Sequence, residues 1–423
     1  MKRTAAILAA LVLAICSSAQ QKVVSPKTHG MDPEHLALVD EVIGQSISDG
    51  TIPGAVLAVV SGNDLVYLKA YGNKSVTPEV VPMTTETIFD LASCSKVMGT
   101  TLSFMQLVED GKVRLIDNVN RYIPDFQPWT DPETGETVHI TIRDLLTHSS
   151  GLAPYINVNS FVSEFGENAP DDLEKYIATR VKRNFRPGTD FMYSCLNFIT
   201  LQRILERVTG QKLYEYAHEN VFAPLGLRHT CYFPLDASLP PLKDVDYAAL
   251  SGLCAPTEVQ ADGLPLVARV HDPIARRIMG GNSGNAGLFS NARDLAVMCS
   301  AIMQGGLYFG GKKSGWTKEA RILSPLTIKM MTTIPEENDP KVGRALGWDK
   351  KSDYNSNLGD IFDKDTTIGH TGYTGTSVVI DMKTRTAVIL LAHRVHPKDE
   401  GSVSQLRSKV ANIVASSILY PVM

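Results

Sequence analysis

Cysteine is scarce in this sequence, and the few cysteines are far apart. Six occur in 423 residues, at positions 16, 94, 195, 231, 254 and 299, and no two of them form a C-x-x-C pair. A disulfide scaffold and a zinc-ribbon site both need closely spaced cysteines. The spacing therefore excludes both classes, and we predict a fold that does not depend on disulfides.

An excess of positive charge and long hydrophobic runs are also missing. The 41 Lys and Arg are outnumbered by 45 Asp and Glu, which gives a formal net charge of −4 and no basic footprint for nucleic acid. Hydrophobic residues make up 43% of the chain and charged residues 20%, with 32 Gly and 23 Pro. This balance excludes disordered, collagen-like and multi-span membrane proteins, and it predicts a globular chain with a large core.

The one membrane-like stretch lies at the N-terminus. Met1-Lys2-Arg3 provides a positive start, Ala5–Ile15 an apolar run, and Ser17-Ser18-Ala19 a small-residue cleavage site. Because a transmembrane helix needs about 20 apolar residues, we predict that residues 1–19 are a signal peptide that directs export and is removed. A lipid on Cys16 is the less favoured alternative, since an isoleucine precedes it where a lipobox needs a small residue.

Strand and helix patterns divide the chain into three parts. Two hairpins are predicted, at residues 55–71 around Gly62-Asn63-Asp64 and at residues 376–391 around Asp381-Met382-Lys383. Apolar residues at helical spacing cover residues 33–48 and 403–419. The pattern between these end regions is mainly helical.

These patterns predict an α+β fold in one domain, over residues 20–423. The N- and C-terminal segments, about 32–92 and 346–423, would build one antiparallel sheet flanked by the terminal helices. A large, mostly helical region, about 93–345, would be inserted between them.

A possible nucleophile lies in the sequence Ser93-Cys94-Ser95-Lys96, which precedes a helical run. At a spacing of three residues the Ser93 hydroxyl and the Lys96 amine share one helix face. An amine can activate a hydroxyl if burial or a nearby cation lowers its pKa, and the helix N-terminus can stabilise an oxyanion. On this motif alone, a capped helix with a solvated lysine stays an open alternative.

Two further segments add to this motif. Tyr193-Ser194-Cys195 precedes a helix predicted at 198–208, and His370-Thr371-Gly372 is predicted to open the strand at 376–380. In this order the three motifs resemble those of serine β-lactamases and penicillin-binding proteins, in the branch of class C β-lactamases, D,D-peptidases and related esterases. The resemblance covers roughly residues 35–420. It implies a β-lactamase/transpeptidase-like fold and a serine hydrolase that needs neither a cofactor nor a metal.

The resemblance also implies roles for single residues. Ser93 would be acylated, Lys96 would activate it, and Tyr193 would carry a proton to the leaving group. The backbone N–H groups of Ser93 and Tyr373 would form the oxyanion hole. The wall that receives a substrate carboxylate in this family would be formed by His370, Thr371 and Gly372.

Two positions depart from the family pattern. The family's second motif is Y-x-N, and Cys195 stands where that motif has asparagine. The contact between this asparagine and a substrate amide is therefore lost unless Asn197 reaches the site. His370 replaces a lysine and is a weaker anchor for a carboxylate, because imidazole is mostly neutral at pH 7. Both changes favour an exported esterase, amidase or acyltransferase, with an alcohol or amine as a possible acyl acceptor. A β-lactamase or D,D-carboxypeptidase, acting on β-lactams or cell-wall peptides, is the alternative.

A catalytically silent sensor or binding module of the same fold is a further alternative. The presence of Ser93, Lys96 and Tyr193 together favours the enzyme, because a binding protein does not need all three. No G-x-S-x-G elbow is present, which argues against an α/β-hydrolase. His393 and His396 are not expected to hold a metal, since no carboxylate pattern accompanies them.

The signal-peptide prediction can be checked on the exported protein. We expect a mature N-terminus near Gln20 and a protein that is recovered in the aqueous phase, because cleavage removes the apolar run. Mass spectrometry of the N-terminal peptide measures this directly. Recovery only in a detergent phase, with a lipid on Cys16, would contradict it.

Overall fold

The computed structural model describes residues 22–308, 321–352 and 355–420. The predicted signal peptide and Cys16 lie outside the described residues. The five cysteines that are described are all free thiols.

The strands are β1 Gly54–Ser61, β2 Asp64–Ser75, β3 Val81–Pro82, β4 Phe89–Asp90, β5 Trp129–Thr130, β6 Thr137–Val138, β7 Cys231–Tyr232, β8 Leu288–Ser290, β9 Thr367–Thr371, β10 Ser377–Asp381 and β11 Thr386–Ala392. Strands from the two ends of the chain form one six-stranded antiparallel sheet, with the order β3-β2-β1-β11-β10-β9. Two small sheets, β4-β8-β7 and β5-β6, are formed by the short strands that lie between β3 and β9 in sequence.

Helices flank the main sheet and fill the region between its two halves. The α-helices are α1 Pro33–Leu36, α2 Leu38–Ser48, α3 Leu102–Glu109, α4 Ile142–Leu146, α5 Val158–Phe165, α6 Pro170–Thr179, α7 Cys195–Thr209, α8 Leu213–Ala217, α9 Tyr247–Leu253, α10 Ala292–Met303, α11 Pro325–Met331 and α12 Ser404–Ser416. Shorter 3₁₀ or π turns are Pro26–His29, Ala92–Cys94, Lys96–Thr101, Val119–Arg121, His218–Phe222, Ile274–Ile278, Pro340–Val342 and Asn355–Leu358. Within the described part of the chain, none of the helices has both the length and the apolar character needed to cross a bilayer.

The two halves of the sheet join at β1 and β11, which pair antiparallel with Ala55 opposite Ala392. Both strands are buried along their whole length because helices cover both faces. On β1, Leu57 packs in the core formed with the terminal helices α2 and α12, whereas Val56 and Ala58 pack in the core that includes α10. A strand that is buried on both faces has a nearly continuous apolar sequence, and both β1 and β11 have this pattern. The predicted α+β architecture is thus confirmed.

The H-T-G segment is placed differently from the prediction. His370 and Thr371 end an additional strand, β9, and a turn at residues 372–376 then leads into β10. The prediction was wrong because β9 contains a single large apolar residue, Ile368, and so gives no alternating pattern. Helix α7 likewise begins at Cys195, three residues earlier than predicted.

The burial of β1 predicts that shortening one of its side chains lowers the stability of the protein. Leu57 is 0% exposed and Leu264 is 61% exposed. Leu57→Ala should lower the free energy of unfolding by about 2–5 kcal/mol, because it leaves a cavity at the centre of the sheet. Leu264→Ala is the control and should change it by less than about 0.5 kcal/mol. Equal effects of both variants in urea denaturation would contradict the described packing.

Candidate active site

Ser93 and Lys96 are in hydrogen-bond contact at the start of the first long buried helical segment. Ser93 lies in the 3₁₀ turn Ala92–Cys94, and Lys96 begins the π turn that continues into α3. Lys96 is 0% exposed, so the alternative of a solvated lysine is wrong. Its Nζ donates to Ser93 Oγ at 3.0 Å, to the Asn285 carbonyl at 2.9 Å and to Cys195 Sγ at 3.5 Å. These three acceptors match the three hydrogens of an ammonium group.

The electrostatics of Lys96 differ from the expectation. Burial lowers its pKa, but Cys195 and Tyr193, when ionised, raise it, and the net pKa lies above the ordinary lysine value. These raising effects act only when Cys195 or Tyr193 has lost its proton. A role as general base requires the neutral form of the Lys96 amine.

Tyr193 lies beside this pair. Lys96 Nζ is 5.0 Å from the centroid of its ring. Burial raises the pKa of the phenol, whereas the charge of Lys96 and hydrogen bonding to Ser93 and Lys96 lower it, and the net pKa is raised. At neutral pH Tyr193 is therefore protonated and can donate. The His148 ring packs against it with the ring centroids 4.4 Å apart, and His148 Nδ1 accepts from the Ser194 N–H.

A buried carboxylate shapes the turn that carries Ser93. Ala92 adopts φ 44°, in the left-handed region that non-glycine residues seldom occupy. Asp90 holds it there, because its carboxylate accepts from the Ala92 N–H at 2.8 Å and from the His271 N–H at 2.6 Å. Asp90 is 2% exposed. The turn is therefore fixed both to the strand before it and to the loop around residue 271.

The turn at residues 372–376 is tied to the same segment. Thr374 Oγ1 donates to the carbonyl of residue 90 at 2.8 Å, and Thr376 Oγ1 donates to the carbonyl of residue 91 at 3.0 Å. A Cβ on Gly372 would lie 2.1 Å from Thr376 Oγ1, so the close approach requires glycine. These contacts hold Tyr373, the second predicted oxyanion donor, in the wall that also contains Ser93.

Ser93, Tyr193 and Tyr373 lie between two cavities. The first has a volume of about 400 Å³, and its lining includes Arg344, Asp349, His370, Thr371, Gly372, Arg394 and Arg407. The second has a volume of about 450 Å³, and its lining includes Tyr155, Cys195, Glu258, His271, Asp272 and Arg276. The two cavities give a substrate room on both sides of the Ser93 hydroxyl.

Arg344 supplies the fixed positive charge that His370 lacks. Burial, followed by the charges of Arg344 and Lys96, lowers the pKa of His370 well below its usual range, so the imidazole is neutral. Arg344 is 1% exposed, lines the first cavity, and lies with its Cζ 5.7 Å from the Tyr193 ring centroid. It pairs with Asp349 at 3.7 Å, and its Nε has no partner among the described residues.

Asn197 does not take the place of the missing asparagine. Its side chain is 0% exposed, accepts from Ser150 Oγ at 2.6 Å and contacts His148 Nδ1 at 3.1 Å. It lines neither of the two cavities described above. The spacing along α7 explains this, because a residue two positions after Cys195 points to another side of the helix. Asn285, which accepts from Lys96 through its carbonyl, is the amide residue that borders the site.

Asp90, Asn285, Arg344 and Arg407 were missed from the sequence. Each lies outside the three motifs, and no local pattern distinguishes these residues from other buried polar residues. Within the described residues, no group of three or more His, Cys, Asp or Glu is arranged to hold a metal ion. His393 and His396 instead contact the carbonyls of Lys74 and Thr257, at 2.8 and 2.9 Å.

Comparison with known proteins identifies the family. The β-lactamase family model matches residues 39–412. The chain belongs to the β-lactamase family. It is 31% identical over 415 residues to a protein of Escherichia coli (strain K12) that is provisionally named D-alanyl-D-alanine carboxypeptidase, covering 94% of this chain and 92% of that protein. It is 29% identical over 391 residues to the N-acetylmuramyl-L-alanine amidase of Bacillus subtilis (strain 168), covering 89% and 85%.

Solved structures of other proteins share the fold. EstCE1, described as a hydrolase with promiscuous acyltransferase activity, has a TM-score of 0.66 and 22% identity, covering 90% of this chain and 99% of EstCE1. A penicillin-binding protein homologue from Pyrococcus abyssi has a TM-score of 0.63 and 21% identity, covering 91% and 77%. The family membership makes the protein a serine hydrolase with the β-lactamase/transpeptidase-like fold.

The contact between Ser93 and Lys96 predicts two severe losses of activity. Ser93→Ala should reduce turnover and fluorophosphonate labelling to below about 1%, because the acylated hydroxyl is removed without loss of core volume. Lys96→Ala should lower kcat by about 10³-fold, in the range of general acid–base catalysis. Lys175→Ala, at an exposed lysine, is the control. Thermal unfolding should confirm that each variant is folded, and a folded Ser93→Ala protein with normal turnover would exclude Ser93 as the nucleophile.

Proposed function

We propose that the protein cleaves an amide or ester through an acyl-Ser93 intermediate, and that its substrate carries a carboxylate close to the scissile bond. The contact between Lys96 and Ser93, beside a cavity with a buried arginine, is the observation that carries this proposal. Tyr193 would donate a proton to the leaving group, and the N–H groups of Ser93 and Tyr373 would stabilise the oxyanion.

Arg344 supports the carboxylate part of the proposal. A guanidinium keeps its charge at every physiological pH and can bind a carboxylate through two parallel hydrogen bonds. Its place in the wall of the first cavity makes it a suitable anchor. In the sequence, His370 replaces the lysine of the family's third motif, K-T-G. The loss of that fixed positive charge favoured simple esters as substrates. Because Arg344 provides a fixed positive charge, this reason for simple esters no longer holds. Acyl-amino acids and peptides are the substrates that Arg344 favours.

The names of the curated relatives agree with such a substrate. A D-alanyl-D-alanine carboxypeptidase and an N-acetylmuramyl-L-alanine amidase both cleave an amide next to an alanine, as their names state. We infer that this protein acts on an amide of similar chemistry, and that it does so outside the cytoplasm if the predicted signal peptide directs export. A non-catalytic binding module would have no use for the contacts around Lys96.

Ester hydrolysis or acyl transfer is the second candidate, and Cys195 favours it. The thiol occupies the position of the family's asparagine and lines the second cavity. A thiol hydrogen-bonds weakly, so it recognises a substrate amide less well than a carboxamide does. Turnover of short p-nitrophenyl esters, with and without an added alcohol, measures this activity. A chromogenic cephalosporin in the same assay tests the β-lactamase alternative.

The role of Arg344 can be tested with paired substrates. For an N-acyl-D-alanyl-D-alanine, wild-type kcat/KM should exceed that for its C-terminal amide by about 10-fold or more, because a charge-assisted hydrogen bond contributes about 1.5–3 kcal/mol. Arg344→Gln should abolish this preference and Arg344→Lys should keep part of it. Arg180→Gln, at an exposed arginine, is the control. A preference that survives Arg344→Gln would exclude Arg344 as the anchor.

A further inference from the structure

The peptide group between Gly372 and Tyr373 carries the second proposed oxyanion donor, the Tyr373 N–H. Among the described residues this N–H has no hydrogen-bond acceptor. Tyr373 lines both cavities beside Ser93. The carbonyl and the N–H of a trans peptide group lie in one plane and point in opposite directions. A group that holds the Gly372 carbonyl therefore also sets the direction of the Tyr373 N–H.

Arg407, on α12, holds this carbonyl. Its Nη2 donates to the Gly372 oxygen at 2.7 Å and to the Thr376 oxygen at 2.9 Å. The two residues are the ends of the turn, and the Gly372 N–H donates to the same Thr376 oxygen at 2.7 Å. One nitrogen of a rigid, planar guanidinium thus joins both ends of the turn. Arg407 is 8% exposed, so water competes little for these hydrogen bonds.

The charge of Arg407 acts on the same peptide group. Burial lowers the pKa of Arg407 to about 10, so the guanidinium keeps its proton at neutral pH. A charged donor makes a stronger hydrogen bond than a neutral one, and hydrogen bonds in a chain polarise one another. A cation at the carbonyl therefore makes the N–H of that peptide group a better donor. Arg394 by contrast donates to the Tyr373 carbonyl, which belongs to the next peptide group, and its charge is paired with Asp399 at 2.9 Å.

We propose that Arg407 is a positioning residue of the oxyanion hole, which orients the peptide group between Gly372 and Tyr373 and strengthens its N–H as a donor to the oxyanion. This inference rests on the proposed function, in which acylation of Ser93 creates that oxyanion. In this role Arg407 acts through the peptide group and does not contact the substrate. Its removal should therefore slow the acylation of Ser93 by every substrate, including one without a charge.

Three variants separate this role from others. Arg407→Met removes the donor and the charge but keeps an unbranched side chain. It should fold, because the Gly372 carbonyl still accepts from the Gly375 N–H at 3.1 Å and the Thr376 carbonyl from the Gly372 N–H. Arg407→Lys keeps the charge but replaces the planar fork by a single nitrogen. Lys409→Met makes the same change in net charge as Arg407→Met, at an exposed position of α12, and is the control.

The first test compares p-nitrophenyl acetate with its thiono analogue, in which sulfur replaces the carbonyl oxygen. Both compounds are uncharged, and sulfur is a weak hydrogen-bond acceptor, so the ratio of their kcat/KM values measures the oxyanion hole. Arg407→Met should lower kcat/KM for the oxygen ester by about 10-fold, less than the 10²–10³-fold loss that follows removal of a whole oxyanion donor. The ratio should fall by a similar factor. Arg407→Lys should lie between this variant and the wild type, and Lys409→Met should keep the wild-type ratio.

The same measurement distinguishes a merely structural role. Loss of structural support alone would lower the Tm of Arg407→Met, while the folded protein would keep the wild-type ratio. That result, or an unchanged kcat/KM for the oxygen ester, would overturn the proposal. A loss confined to substrates that carry a carboxylate would also overturn it, because Arg407 would then act on the substrate itself.

A binding measurement separates this proposal from the proposed function. Phenylboronic acid forms a tetrahedral adduct when the Ser93 oxygen bonds to boron and the serine proton leaves, and one boron hydroxyl then takes the place of the oxyanion. In calorimetry, Arg407→Met should bind it about 10-fold more weakly than the wild type and Lys409→Met do. This result supports the role of Arg407 even if neither ester is cleaved, in which case the proposed hydrolysis alone fails. Equal affinities of the wild type and Arg407→Met would contradict the proposal.

Discussion

The site is organised around one buried lysine side chain. Lys96 has no exposed surface, and its three hydrogen-bond acceptors come from the 3₁₀ turn before it, the start of α7 and the loop at residue 285. Burying a charge without such partners would be costly, so these segments have to meet at Lys96. The same constraint places the Ser93 hydroxyl and the Tyr193 phenol beside the amine. Stability and chemistry at this point depend on the same hydrogen bonds.

The sheet brings the other half of the site to this centre. Pairing of β1 with β11 joins the two ends of the chain, and β9 and β10 then lie on the same side as the Ser93 turn. Hydroxyl groups of Thr374 and Thr376 connect the turn after β9 to the backbone before Ser93. The distance between the two proposed oxyanion donors is therefore set by contacts between residues 284 and 285 positions apart in sequence.

The positive charge of the site lies in a different place from that of the family motif. His370 is neutral because it is buried near Arg344 and Lys96, and Arg344 and Arg407 provide the charges that line the first cavity. Arg407 also supports the turn that carries Tyr373, through its hydrogen bonds to two carbonyl groups.

The sequence by itself was sufficient for the strongly patterned parts of the molecule. Both hairpins, the terminal helices and the three motifs were predicted, because each depends on residues close together in the chain. Strand β9 was missed for lack of an apolar alternation, and Asn197 was considered for a role that its place on α7 prevents. The pKa of Lys96, the charge of His370 and the positions of Asp90, Arg344 and Arg407 were decided by the tertiary structure alone. Burial and the proximity of distant charges determine all of these, and neither is encoded in a local pattern.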